Sequence, residues 1–172
     1  MISEHRTVVL RQQTAGLIRQ VGLELCDRAG NVLATAAGDE RVVVSALDGR
    51  PIMALEGRRC PISVVDPGGG ALGMIEQRSR RFATPRLAIT GSRREPVATL
   101  SGPFREMRLC DASGALVADV LMEGGAQVLI LRDEPAEPRD SLALASVIAA
   151  NRIFGWSRIN KRNRTAAVRW RT

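Results

Sequence analysis

Aromatic residues are scarce in this chain: no tyrosine, three phenylalanines and two tryptophans among 172 residues. Proteins that hold single-stranded nucleic acid stack bases on aromatic faces, and such platforms are largely missing here. Nonspecific binding through phosphate contacts alone stays open. His5 is the only histidine. It lies near the amino terminus, where fraying is common, so a His-based catalytic triad or a zinc site is not expected. The chain is therefore read as non-enzymatic, with no cofactor and no metal. Three cysteines, Cys26, Cys60 and Cys110, stand far apart without CxxC spacing. An odd, dispersed set points to reduced thiols in a cytoplasmic protein. No apolar run opens the chain as a signal peptide, and none approaches the roughly 20 residues of a membrane span. Lysine is nearly absent too: Lys161 is the single exception among 25 basic residues, and the formal net charge is +7. An arginine surplus points to anionic partners such as lipid headgroups, other phosphates or nucleic acid; a solvated arginine-rich surface accounts for it equally.

What the chain does have is a long succession of short apolar runs. Val21–Cys26 and Asn31–Ala36 flank Asp27-Arg28-Ala29-Gly30. Ile62–Val65 and Ala71–Glu76 flank Asp66-Pro67-Gly68-Gly69-Gly70. Glu106–Cys110 and Ala115–Met122 flank Asp111-Ala112-Ser113-Gly114. Asp can start a turn by bonding its own backbone, and Gly takes the positive-φ position. A shorter hairpin at Leu47-Asp48-Gly49-Arg50 joins Val42–Ala46 to Ile52–Glu56, and Gly91-Ser92-Arg93-Arg94-Glu95 joins Arg86–Thr90 to Val97–Ser101. With Thr7–Leu10 and Ala126–Arg132 the count is twelve strands, or thirteen if Ala15–Gln20 is one. Alternation such as Met107 and Leu109 against Glu106 and Arg108 is that of a sheet with one face to the core and one to water. Regular hairpins of this kind predict an all-β sandwich or barrel.

The last apolar stretch differs. Ser141–Trp156 is rich in alanine and unbroken by proline, with Asp140 a candidate N-cap and Gly155 a candidate stop. At about 100° per residue its polar positions Ser141, Ser146, Asn151 and Arg152 scatter around the axis, so there is no broad solvent face. Such a helix is expected to be buried on all sides. A closed barrel of about twelve strands is too wide for side chains alone to fill, and a helix about 10 Å across fills it. The expected fold is thus mainly β: an antiparallel barrel of about twelve strands enclosing a hydrophobic helix near the C-terminus.

The hairpins with D-x-x-G turns, the strand Val128–Arg132, the acidic loop and Arg139-Asp140-Ser141-Leu142-Ala143-Leu144-Ala145 resemble the tubby-like superfamily. Its LURP-one-related and phospholipid scramblase-like branches are the most similar. The resemblance implies a twelve-stranded barrel around a near-C-terminal helix, spanning residues 1–156 here (helix about 140–155), followed by a basic tail over 157–172. It also implies binding to anionic phospholipid through basic surface residues, and a cytoplasmic protein peripheral to the membrane. The chain departs from the pattern at Asn151, where relatives commonly carry an acid. Scramblases have a calcium-associated acidic segment before the terminal helix. Here Asp133, Glu134, Glu137 and Asp140 stand at that place, but the ligand alternation and central glycine of an EF-hand loop are missing.

Candidate residues follow from charge. Basic groups cluster at Arg58-Arg59, at Arg78, Arg80 and Arg81, at Arg93-Arg94, and in the tail at Arg158, Lys161, Arg162, Arg164, Arg169 and Arg171. Arg78, Arg80, Arg81, Arg158, Lys161, Arg162 and Arg164 are the candidate lipid- or phosphate-binding set, since guanidinium forks engage phosphate oxygens bidentately. A solvated, unstructured tail fits the same residues. A nonspecific nucleic-acid-binding module is the alternative function. Gly68-Gly69-Gly70 is read as a turn rather than a phosphate cradle, lacking the G-x-x-x-x-G-K-[ST] pattern. Cys26 and Cys110, at equivalent places before a turn Asp, are read as packing residues.

Overall fold

The computed structural model describes residues 6–12, 21–79, 84–132 and 137–155. Twelve strands follow one another: β1 (Thr7–Gln12), β2 (Val21–Cys26), β3 (Val32–Gly38), β4 (Arg41–Ala46), β5 (Pro51–Glu56), β6 (Ile62–Val65), β7 (Ala71–Gln77), β8 (Arg86–Gly91), β9 (Pro96–Ser101), β10 (Glu106–Asp111), β11 (Leu116–Glu123) and β12 (Ala126–Leu131). Each pairs antiparallel with the next, and β12 closes on β1 with Val8 opposite Leu129, giving a closed up-and-down barrel. The alternation read from sequence holds in place: Leu87, Ile89, Met107 and Leu109 are buried, while Arg86, Glu106 and Arg108 are exposed. Ala15–Gln20 lies outside the described residues.

In such a meander the connections alternate between the two ends of the barrel. Those after even-numbered strands share one end, and all five are the same turn. The backbone N–H of its first residue bonds the carbonyl of its fifth, and that of the fourth bonds the carbonyl of the first. This recurs at Asp27–Asn31, Ala46–Arg50, Asp66–Gly70, Gly91–Glu95 and Asp111–Ala115. Each turn is accompanied by a register shift at the end of the strand before it. Bulges of this kind increase local twist, which suits closure. At the first position Asp27, Asp66 and Asp111 accept backbone N–H bonds at 2.8–3.0 Å from the fifth residue. The Asp48 hairpin is therefore not shorter. Ala46 fills the Asp place and Asp48 caps from the third position instead, accepting from Arg50 N–H at 3.0 Å. The turn after β8 carries Gly91 at the first place and Arg94, with φ +64°, where its siblings have glycine.

The helix α1 (Arg139–Ala150) enters the barrel at this same end and runs through it, ending in a π-helical turn over Asn151–Gly155. Every residue from Leu142 to Ala150 is buried. Ser146 satisfies its hydroxyl by donating to the Ala143 carbonyl at 2.7 Å. The all-round burial expected from the scattered polar positions is thus observed. The start differs by a residue or two: Pro138 holds the N-cap position with no side-chain cap, and Asp140 lies within the first turn. There its charge still favours the positive end of the helix dipole. The helix comes nearest to β5–β8. At Gly73 of β7 an added Cβ would stand 2.3 Å from the Thr90 carbonyl oxygen and 2.9 Å from a Leu142 methyl. Only glycine lets the helix and wall approach this closely.

Candidate functional site: the arginine-rich end

The opposite end carries the connections after odd-numbered strands, and the helix leaves the barrel there. Gly38 turns the chain from β3 to β4 with φ +140°; a Cβ at this position would collide with the Arg41 carbonyl. The turn presents the Asp39 carboxylate to Arg58, which follows β5. Arg58 donates to Asp39 through Nε at 3.0 Å and through Nη2. The Asp39 carboxylate raises the Arg58 pKa above its already high value. Glu40 stands 3.9 Å from the same guanidinium.

Arg152, in the π-helical turn, reaches across the barrel mouth. It donates to the Gly57 carbonyl at 2.8 Å and to the Asp39 carbonyl. Burial lowers its pKa; Asp39 acts against that, and neighbouring Arg58 adds to it. The guanidinium therefore ties the end of the helix to two wall connections through backbone oxygens. It remains a cation at any physiological pH. Next to it, Asn151 donates to Gln127 of β12 at 3.1 Å.

Beside this tie lies an open hollow of about 610 Å³, bounded by Arg58, Arg59, Cys60, Gln77, Ser79, Arg152 and Ile153. Arg59 is exposed and has no acidic partner among the described residues. Arg58 has spent its fork on Asp39. Ser79 and Gln77 add a hydroxyl and an amide to the wall, and hydrogen-bond each other at 3.4 Å. The chemistry is that of several donors and a surplus of positive charge around an open concavity, which suits an oxyanion. Burial raises the pKa of the Cys60 thiol, so this group lacks the depressed pKa of a nucleophilic thiol. Among the described residues no three His, Cys, Asp or Glu side chains converge to hold a metal ion. No helix among them is long and apolar enough to cross a membrane.

Of the candidate set, Arg78 is placed at this end, directly after β7. It pairs with Glu76 at 2.5 Å, its side chain still largely exposed. Arg80, Arg81, Arg158, Lys161, Arg162 and Arg164 lie outside the described residues. The described chain ends at Gly155 on this same end, so the basic tail continues in sequence from the arginine-rich mouth. Arg93-Arg94 belongs to the opposite end, in the turn after β8, away from this group. Arg59, Gln77, Ser79 and Arg152 were not among the residues chosen from sequence. Hairpin parity could have found Arg59, since connections after β5 and β7 must share an end with the exit of a helix that follows β12.

No family model matches the sequence, and no curated protein matches it. Among solved structures, the X-ray structure of the Arabidopsis thaliana protein AT5G01750 is similar. The TM-score is 0.63 with 14% sequence identity, covering 84% of this chain and 90% of that chain. At that identity the likeness shows the barrel fold. Cys26 and Cys110 each immediately precede the first residue of their turn, the first and last of the five. Cys26 is fully buried, with its thiol pKa raised chiefly by that burial.

Proposed function

We propose that this chain is a non-enzymatic barrel of the tubby-like superfamily, nearest its LURP-one-related and scramblase-like branches. We propose further that it associates, as a peripheral cytoplasmic protein, with anionic phospholipid surfaces through its arginine-rich end. The observation that carries the reading is the common placement at one barrel mouth of Arg59, which has no acidic partner among the described residues, exposed Arg78 and the exit of the helix. The sequence then continues with six basic residues and no acid from Arg158 to Arg171. Each basic residue near an anionic surface contributes about 1 kcal/mol, and the attraction is screened beyond a Debye length of about 8 Å at physiological salt. Trp156 and Trp170 bracket most of the tail, and tryptophan suits the headgroup region.

The test is cosedimentation with phosphatidylcholine vesicles, with and without phosphatidylserine, at low and physiological salt. Binding is expected only to the serine-containing vesicles, and should fall steeply as salt rises. Deleting Asn160–Thr172 removes five of the six tail cations and should remove most of the binding while leaving the melting temperature unchanged. Arg59→Glu should weaken it further. Full-length protein that ignores anionic vesicles at low salt refutes the reading. Strong salt-sensitive binding to DNA or RNA alone would replace it with the nucleic-acid alternative.

A further inference from the structure

The end opposite the arginines holds a second concavity. It has a volume of about 390 Å³, and its apolar walls come from β1 and β12 (Val8, Leu129, Leu131), from the start of β5 (Ile52, Met53) and from Leu144 of the helix. Its origin lies in how the helix sits. Gly73 lets Leu142 press against β7, and β7 stands six strands around the barrel from β1. Leu144 is about 200° around the helix from Leu142, so it faces away from that contact. The hollow opens at the barrel mouth between this face of the helix, β1 and β12, and the start of β5.

The polar groups around it are unevenly signed. Asp140 and Glu137 lie on the helix side, Asp140 almost wholly buried and close to Arg139 at 3.5 Å. Glu137 accepts a hydrogen bond from the Ser141 hydroxyl at 2.7 Å. The cation at the rim, Arg50, is 84% exposed and tied to Asp48 at 2.6 Å. Among the described residues, the carboxylate at the hollow without a cation of its own is therefore Glu137, next to an apolar cleft. Ligand pockets run from about 300 to 1,000 Å³ and combine apolar walls with a few placed polar groups; this one is at the small end of that range.

We infer that this hollow is a binding site for a small amphipathic amine, its hydrocarbon body against Val8, Leu129, Leu131 and Leu144 and its ammonium facing Glu137. The site is independent of the lipid reading, because it lies at the other end of the barrel and uses none of the same residues.

The experiment is isothermal titration of the full-length protein with n-decylamine, n-decanol and n-decanoate, which share a chain and differ in head charge. Saturable binding is expected with decylamine tightest and decanoate at least tenfold weaker. Glu137→Gln, on an exposed position, should lower the decylamine affinity severalfold and leave decanol unchanged. Ala46→Trp should fill the hollow and abolish binding of all three. Where that variant fails to fold, Pro67→Trp, on an exposed turn that also lines the hollow, gives the same readout. Absence of saturable binding by every probe overturns the proposal. So does decanoate binding as tightly as decylamine, or undiminished binding in a folded variant with the hollow filled. None of these results bears on vesicle binding.

Discussion

Gly73→Ala should be among the most damaging single-methyl additions in this protein. The position has ordinary strand backbone, so the cost is not conformational. It is steric: the new Cβ would stand 2.3 Å from the Thr90 carbonyl oxygen and 2.9 Å from Leu142 Cδ2. The first of these is backbone in the neighbouring strand, which cannot swing away as a side chain can. The second belongs to the helix that fills the barrel. Forcing methylenes into packed interiors costs about 1–3 kcal/mol, and a contact with backbone on one side and core on the other belongs at the upper end. For a domain of this size each kcal/mol lowers Tm by about 2–4 °C, so a drop of roughly 6–12 °C is expected. Gly114→Ala is the control. Its Cβ would meet nothing within 4 Å, but its φ is +90°, so only the left-handed penalty of about 1–2 kcal/mol applies. Urea and thermal unfolding of both variants, with unchanged m-values, give the comparison. A Gly73→Ala protein as stable as wild type within about 0.5 kcal/mol, the resolution of such additive comparisons, would show that helix and β7 do not meet at this distance. The asymmetric placement of the helix would then be wrong.

Ala145→Arg and Ala149→Arg should each cost several kcal/mol, since both residues are wholly buried on the helix and a charge there has no partner; an unchanged Tm would place that face at the surface. Arg94→Gly should stabilise the protein by up to about 1.5 kcal/mol, because relief of the left-handed penalty of about 1–2 kcal/mol outweighs glycine's extra unfolded-state freedom of about 0.5–1 kcal/mol; differential scanning calorimetry reads it as a small rise in Tm. Hydrogen bonds within their turns hold the Asp27, Asp48 and Asp111 carboxyls below their ordinary value of 3.8. A folded pKa below the unfolded one gives stability that is present above pH 3.8 and lost as pH falls through the folded values. Replacing all three by Asn should therefore flatten the acid limb of a Tm-against-pH curve, and an unaltered limb would show that these turns do not set it.

The strands were legible because each alternates every two residues over an interior that must be apolar; β10, with Met107 and Leu109 in and Glu106 and Arg108 out, is the plainest case. The central helix was legible for the complementary reason, that no arrangement of Ser141, Ser146, Asn151 and Arg152 gives it a wet side. What stayed hidden depends on a few ångströms of placement. In sequence Arg152 is only one of the scattered polar positions of the helix. Its burial rests on two backbone carbonyls, of Gly57 and Asp39, that come from connections roughly a hundred residues earlier in the chain. Ala46 and Gly91 occupy the place of a turn aspartate without resembling one, because the turn is fixed by its backbone bonds and its bulge, and the carboxylate only adds to them.

The difference between the two ends follows from strand parity. Five like turns share one backbone bonding pattern, with glycine at the fourth place in four of them. The described connections after odd strands carry no such repeat: the turns after β3 and β5 differ in length and in their bonding, and Asp39, Arg58 and Arg59 sit on them. Because β12 is even-numbered, the helix must start at the repetitive end and finish at the variable one. Its last turn therefore meets the loops that lack the shared turn pattern. A barrel with an even number of strands, built around a helix that follows the last of them, places the end of that helix at the mouth opposite its start, whichever ligand the loops there come to hold.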